Sequence, residues 1–291
     1  MSEQATITVL LGAHVSTAGG TPAAPPRARA IGATAMQLFT KQAQRWAERD
    51  CADDECRDFA DAVTVARVVS VTAHDSYLIN LASPDDALRR RSVESTVAEL
   101  RRCVALGVTN LVSHPGNYID DRASGLARNA DAITEALQRV AGDTTLCLET
   151  TAGSGTVLGS TFEELASIID AVPEPHRARL AVCVDTCHLY SAGYDLVADY
   201  EGVWSRFADT LGLERLRVIH LNDSKTPFNA RRDRHELIGE GSLGEAPFRR
   251  LMNDERFAAV PKIIETPKLG DAETTDRRML ERLKSYLGSR P

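Results

Sequence analysis

The sequence predicts a (β/α)₈ barrel formed by a single domain over residues 1–291. Three observations lead to this fold. The chain is long enough, at 43% apolar residues, to bury the core of one large barrel. Short apolar runs alternate with helix-like stretches, as they do in parallel βαβ units. Metal-binding or proton-transferring residue types also follow six successive runs, which indicates that the strand ends converge on one face.

The apolar runs are rich in Val, Ile and Leu and are interpreted as eight buried strands. Eight is the number of parallel strands that closes this type of barrel. The predicted strands are Ile7–Leu11, Ala35–Phe39, Val68–Ala73, Asn110–Ser113, Thr145–Leu148, Leu180–Val184, Leu216–Ile219 and Lys262–Ile264.

Capping residues delimit two of the intervening helices. Ser83 is the predicted N-cap of a helix over Pro84–Leu106, which Gly107 ends. Thr161 is the predicted N-cap of a helix over Phe162–Ala171, with Glu164 at the capping-box spacing. A third segment, the proline-rich Thr21–Arg27, is expected to lead from a loop into a helix.

The residues at the ends of the last six strands recur at intervals of 35 to 45, which suits one strand-helix-loop unit each. An open doubly wound sheet would spread them along one edge, whereas a barrel gathers them on its C-terminal face. They are His74, His114, Glu149, Asp185, His220 and Glu265.

Histidines and carboxylates are concentrated in these strand ends and the following loops. Adding His188, Asp233 and His235 gives nine candidate ligands, five of them imidazoles. Such a set suits zinc, manganese or iron, and nine ligands fit three ions if two ions share a carboxylate. Five neutral imidazoles favour Zn²⁺, with Mn²⁺ as an alternative at one position.

The stretch AVCVDTCH (181–188) raises the alternatives of a metal site and a cysteine nucleophile. A nucleophilic thiolate needs an accessible, electropositive setting. Cys183 lies inside a predicted strand and is expected to be buried filler, while Cys187 stays open as a ligand. The interpretation is a metal site built from Asp185 and His188.

Composition limits the classes of protein. The sequence shows no export-signal pattern and no apolar run of the roughly 20 residues that span a bilayer. Six cysteines in so large a domain are expected to be reduced thiols, which favours the cytoplasm. The formal charge of −7 argues weakly against a polyanionic partner. Three divalent ions would change it to −1 and are compatible with a DNA-binding groove.

Several long motifs resemble those of the endonuclease IV family of apurinic/apyrimidinic (AP) endonucleases, in the same order, from Gly12 to Pro267. They are GAHVSTAGG (12–20), LFTK (38–41), HDSYLINLA (74–82), HPG (114–116), CVDTCH (183–188), AGYD (192–195), HLNDSK (220–225), DRH (233–235) and IETP (264–267).

The resemblance implies a barrel with three zinc ions. One would be bound by His74, His114 and Glu149. The second would share Glu149 as a bridge with Asp185, His220 and Glu265. The third would be bound by His188, Asp233 and His235.

The implied reaction is hydrolysis of the phosphodiester 5′ to an abasic site, which leaves a 3′-hydroxyl and a 5′-deoxyribose phosphate during base excision repair. Glu149 would orient the attacking hydroxide and accept its proton, the alternative being a purely structural ligand. A monomer acting on double-stranded DNA that contains abasic sites is expected.

DNA contacts are implied for loops around the same face. Tyr77 and Leu78 match the family's loop that enters DNA at the lesion, with a role in packing as the alternative. The family's DNA-inserting arginine aligns with Gln44. In this chain the nearest arginine of that motif, Arg45, lies one position later. Thr150 and Ala181 also depart from common residues. Candidate phosphate contacts are Lys41, Arg45, Lys225, Arg231, Arg232, Arg234 and Lys268.

Two other functions are compatible with such a barrel. A metal-dependent sugar isomerase typically uses fewer ions and has less need of DNA-binding loops. A non-catalytic damage-binding protein would be favoured by loss of a ligand, and all nine ligand positions are filled.

Overall fold

Eight parallel strands close into a barrel in the computed structural model, which describes residues 9–46 and 49–288. The predicted (β/α)₈ barrel is therefore confirmed. Their order around the barrel is β1-β10-β7-β6-β5-β4-β3-β2, and a two-stranded antiparallel hairpin of β8 and β9 is inserted after β7. The strands are β1 Leu11–His14, β2 Ala35–Phe39, β3 Ser70–His74, β4 Asn110–Ser113, β5 Thr145–Glu149, β6 Leu180–Asp185, β7 Leu216–His220, β8 Asp223–Ser224, β9 His235–Glu236 and β10 Lys262–Ile264.

Helices connect the strands and form the outer layer of the barrel. They are α1 Ala24–Ala30, α2 Asp53–Ala66, α3 Asp86–Leu106, α4 Arg122–Gln138, α5 Phe162–Ala171, α6 Glu174–Arg177, α7 Thr186–Ala192, α8 Tyr200–Leu211, α9 Ala246–Asn253 and α10 Ala272–Ser285. No helix among the described residues is long and apolar enough to cross a membrane.

The first strand is the one that the sequence misplaced. Part of the predicted strand, residues 7–8, lies outside the described residues, and β1 begins only at Leu11. Gly12 pairs with Ala35 of β2, and a Cβ at Gly12 would lie 1.6 Å from the Ala35 carbonyl oxygen. The close approach of the two backbones requires glycine at this position. Because glycine adds no apolar side chain, the apolar pattern does not mark this part of the strand.

Helix capping follows the prediction at one helix and departs from it at another. The Thr161 hydroxyl accepts a hydrogen bond from the Glu164 N–H, as predicted, although the Glu164 carboxylate accepts from the Gly159 and Ser160 N–H groups. Ser83 is not the N-cap of α3. Asp85 takes that position because its carboxylate, two residues later, accepts from the first turn of the helix.

Apolar side chains form two separate clusters. The larger one lies between the barrel and its helices. The smaller one fills the lower barrel interior and contains Cys183, which is fully buried as expected. Because its members are small or medium-sized, the interior can close below the polar residues at the C-terminal ends of the strands.

Candidate metal centre

The strand ends and the segments that follow them bring all nine predicted ligands together on the C-terminal face of the barrel. They fall into three groups, in each of which the ligand atoms lie within 4.8 Å of one another. The groups are His74, His114 and Glu149; Glu149, Asp185, His220 and Glu265; and His188, Asp233 and His235.

Glu149 belongs to two of the groups because its two oxygens face different histidines. Its Oε2 lies 3.1 Å from His74 Nε2 and 2.9 Å from His114 Nε2. Its Oε1 lies 3.0 Å from His220 Nδ1. The carboxylate is almost fully buried at the end of β5. Glu149 is therefore placed to serve both groups.

The second group is completed from the neighbouring strands. The Oε2 atom of Glu265, just beyond β10, lies 3.3 Å from His220 Nδ1. Asp185 Oδ2, at the end of β6, lies 4.0 Å from the same nitrogen. Three carboxylates thus converge on one imidazole nitrogen in a setting suited to a divalent cation.

The third group lies closer to solvent. Asp233 places one oxygen 3.2 Å from His188 Nε2 and the other 3.2 Å from His235 Nε2. His188 is held on α7, and His235 starts the inserted strand β9. Asp233 remains 49% exposed, so this group is open to a substrate that approaches the face.

The histidines are oriented as metal ligands usually are. A ligating imidazole commonly donates a hydrogen bond from its second ring nitrogen to a carbonyl, which holds the ring in place. Four of the five histidines have this partner. The pairs are His74 Nδ1 with Asp75 O at 2.9 Å, His188 Nδ1 with Thr150 O at 2.8 Å, His235 Nδ1 with Glu265 O at 3.2 Å, and His220 Nε2 with Gln37 Oε1 at 2.8 Å.

Charge attraction outweighs burial within the cluster. Burial acts to lower the pKa of His74, but the hydrogen bond and negative charge of Glu149 raise it to about 10. Burial acts to raise the pKa of Glu149, whereas the charges of His114 and His220 hold it well below its usual range. The site therefore favours positive charge opposite ionised carboxylates, a pattern that divalent cations satisfy.

The two cysteines of the AVCVDTCH stretch are both fully buried near these groups. Burial is the main cause that raises the pKa of Cys187 to about 12 and that of Cys183 well above its usual value; nearby charge contributes too, from Asp185 at Cys187 and chiefly from Glu149 at Cys183. The Cys187 thiol lies within 4.8 Å of ligand atoms of Asp185 and His235, so its part as a ligand stays a prediction. The nine imidazole and carboxylate ligands do not depend on it.

Polar residues that the sequence did not single out support the ligands. Gln37, on β2, donates to Glu265 Oε1 at 2.6 Å. Asn222 donates to Asp185 Oδ2 at 2.6 Å and accepts from the Glu265 N–H at 2.9 Å. The hydroxyl of Thr150 accepts from the Asp185 N–H at 3.0 Å. One signal for Gln37 was present in the sequence, a lone amide within the buried run AMQLF.

Two of the residues predicted to contact DNA, Tyr77 and Lys268, line a cavity of about 450 Å³ over the candidate metal-binding groups. Tyr77 lines it and is 70% exposed. Leu78 is half-buried, and Arg45, Arg231 and Arg232 are exposed. Lys225 also faces solvent, with its ammonium 3.7 Å from Glu236.

The structure argues against Lys41 as a phosphate contact. Its side chain is buried, with Nζ 3.5 Å from Glu99 Oε1 and donating to the Arg45 carbonyl at 2.6 Å. A phosphate cannot reach the ammonium without breaking this buried ion pair. Lys41 instead holds the loop that carries Arg45.

Comparison with known proteins agrees with this geometry. The model of the xylose isomerase-like TIM barrel family matches residues 25–286. D-tagatose 3-epimerase-like protein shares the fold, with a TM-score of 0.67 at 17% identity over 95% of this chain and 97% of that one. The chain is thus a barrel of the xylose isomerase-like class.

Closer relatives define the family. "Probable endonuclease 4" of Geobacter sulfurreducens is 43% identical over 96% of this chain and 95% of its own length. "Probable endonuclease 4" of Chloroflexus aurantiacus is 43% identical over 95% and 97%. The crystal structure of endonuclease IV from Thermus thermophilus superimposes with a TM-score of 0.84 at 33% identity, over 94% of this chain and 98% of that chain. The chain belongs to the endonuclease IV family.

Proposed function

We propose that this protein is a DNA-repair endonuclease that hydrolyses the phosphodiester 5′ to an abasic site, leaving a 3′-hydroxyl and a 5′-deoxyribose phosphate. The observation that carries the proposal is the convergence of three ligand groups, two of them joined through Glu149, below an exposed Tyr77. The names of the relatives, endonuclease 4 and endonuclease IV, support endonuclease activity.

The three groups would hold three divalent ions, of which zinc best suits the five imidazoles. When bound, the ions would make water acidic enough to supply a nucleophile and would neutralise charge on the phosphate and on the leaving oxygen. The donor set fits them, because the second nitrogens of four histidines are already bonded to carbonyls.

Glu149 is the residue that we assign to orienting the attacking water. Opposing histidine charges hold its pKa well below the usual range, so it stays ionised at neutral pH. The open side of the site, where His114 is 38% and Asp233 49% exposed, is where the phosphate would enter.

Recognition of the lesion is assigned to Tyr77 and Leu78. Insertion of apolar side chains costs the least unstacking energy where a base is already missing. Exposed arginines and lysines around the face would contact phosphates and set the register on the duplex. These residues are Arg45, Lys225, Arg231 and Arg232.

We also infer that the enzyme acts as a monomer in the cytoplasm, where it would meet chromosomal DNA. All six cysteines are free thiols within the described residues, which suits a reducing compartment.

The experiment combines metal analysis with incision of a duplex that contains one tetrahydrofuran abasic analogue. We expect three equivalents of zinc, a single cut 5′ to the analogue, and a 3′-end that a polymerase can extend. An intact duplex of the same sequence is the control and should stay uncut. Zinc-loaded protein that leaves the analogue intact, or that interconverts sugars instead, contradicts the proposal.

A further inference from the structure

Gln37 lies inside the barrel beneath the second ligand group and is fully buried. Its amide oxygen accepts a hydrogen bond from His220 Nε2 at 2.8 Å. Its amide nitrogen lies 2.6 Å from Glu265 Oε1 and 3.0 Å from His14 Nδ1. One side chain on β2 therefore joins two predicted ligands, one that ends β7 and one that follows β10.

We propose that Gln37 is a positioning residue that selects which atoms of His220 and Glu265 face the metal ion. This inference rests on the proposed metal centre and adds a determinant to it. With Nε2 of His220 bonded to the amide oxygen, the free Nδ1 points at Glu149 and Glu265. With Oε1 of Glu265 bonded to the amide nitrogen, Oε2 is the atom left for the group.

Only a carboxamide satisfies both ligands at once. His220 needs an acceptor and Glu265 needs a donor, and an amide offers the two on one planar group. A carboxylate at this position would face Glu265 with like charge. An apolar side chain would remove the acceptor of His220 Nε2 and the amide donor of Glu265 Oε1, which would keep only His14 Nδ1 at 3.4 Å. Partners of metal ligands of this kind typically change metal affinity 10–100-fold.

The test compares Gln37→Met with Thr72→Val in full-length, zinc-loaded protein. Methionine has nearly the length of glutamine without its hydrogen bonds. Thr72 is the matched control because it pairs with Gln37 in the β2–β3 register and is fully buried. Its hydroxyl has no hydrogen-bond partner among residues 9–46 and 49–288.

The measurement is the zinc retained per chain across a series of chelator concentrations. We expect Gln37→Met to release one equivalent at chelator concentrations about 10–100-fold lower than wild type does. The other two equivalents should follow the wild-type curve, and Thr72→Val should match wild type throughout. Unchanged release from Gln37→Met, or weakening of all three equivalents together, overturns the inference.

Folding is checked by circular dichroism. If Gln37→Met does not fold, Gln37→Glu decides, because it keeps the size and an acceptor for His220 but offers no N–H to Glu265. The same selective release is expected, and wild-type retention overturns the inference. Incision is scored separately. If Gln37→Met releases zinc selectively but the wild-type protein does not cleave abasic DNA, the proposed function alone is refuted. If the wild-type protein cleaves abasic DNA but zinc retention does not depend on Gln37, the Gln37 inference alone is refuted.

Discussion

Replacing Tyr77 with alanine should weaken binding to abasic DNA selectively. Tyr77 lies on the loop after β3, only three residues beyond the predicted ligand His74. Its ring is 70% exposed and meets Phe39 edge-on, with 5.3 Å between ring centroids. An exposed aromatic ring beside the metal-binding groups is available to stack in the gap left by a missing base.

The expected magnitude separates recognition from folding. Loss of one aromatic stacking contact costs about 1–3 kcal/mol, or about 5- to 150-fold in Kd. Because Tyr77 is 70% exposed, folding buries only about 60 Å² of its roughly 200 Å² of surface. At about 25 cal/mol per Å² the variant loses at most about 1.5 kcal/mol of unfolding free energy. It should therefore stay folded.

The assay is affinity for abasic and intact duplexes of one sequence, measured with metal-loaded protein across a salt series. Tyr77→Ala should weaken binding to the abasic duplex and leave the intact duplex nearly unchanged. Arg231→Ala should weaken both and lower the salt slope by about one, if Arg231 contacts phosphate. Val69→Ala is a control, since Val69 is 65% exposed at the opposite end of β3. Equal weakening of both duplexes by Tyr77→Ala would refute lesion recognition by this ring.

Three further results are expected. Glu149→Gln should abolish incision and retain DNA binding, because the amide keeps the size of the proposed bridging carboxylate without its charge. Incision near the wild-type rate in single-turnover kinetics would remove Glu149 from the mechanism. In metal-free protein, folding raises the pKa of His74 from 6.5 to about 10 and that of His235 from 6.5 to about 9. The protonated histidines therefore contribute stability that is fully present below pH 6.5 and is lost as the pH rises through the raised pKa values. Urea unfolding should thus show stability falling as the pH rises toward 9–10, where zinc-loaded protein stays stable because metal ions replace the protons; a rise in the metal-free protein contradicts this. Lys41→Met should cost about 3–5 kcal/mol of unfolding free energy, because it leaves Glu99 as a buried carboxylate without its ion-pair partner. The double variant Lys41→Met/Glu99→Gln should recover part of that loss. A loss below about 1 kcal/mol in chemical denaturation would show that the ion pair does not stabilise the fold.

The sequence by itself predicted the barrel, which the structure confirms, and the residues that meet at the candidate metal centre. Parallel strands end on one face, so the residue types at the C-terminal ends of β3, β4 and β5 are enough to place His74, His114 and Glu149 together. This inference needs only the order of strands and the residue after each one. It does not depend on side-chain conformation.

Only the tertiary structure shows which residues contact one another across elements that are distant in the sequence. Gln37 and His220 are 183 residues apart and meet because the sheet closes, so no local pattern marks the pair. Burial of Lys41 against Glu99 likewise depends on where α3 packs, although the sequence had placed Lys41 among the candidate phosphate contacts. The start of β1 depends on how closely Gly12 approaches Ala35. In each case the deciding quantity is a distance of a few ångströms between elements, and packing sets that distance after the local structure has formed.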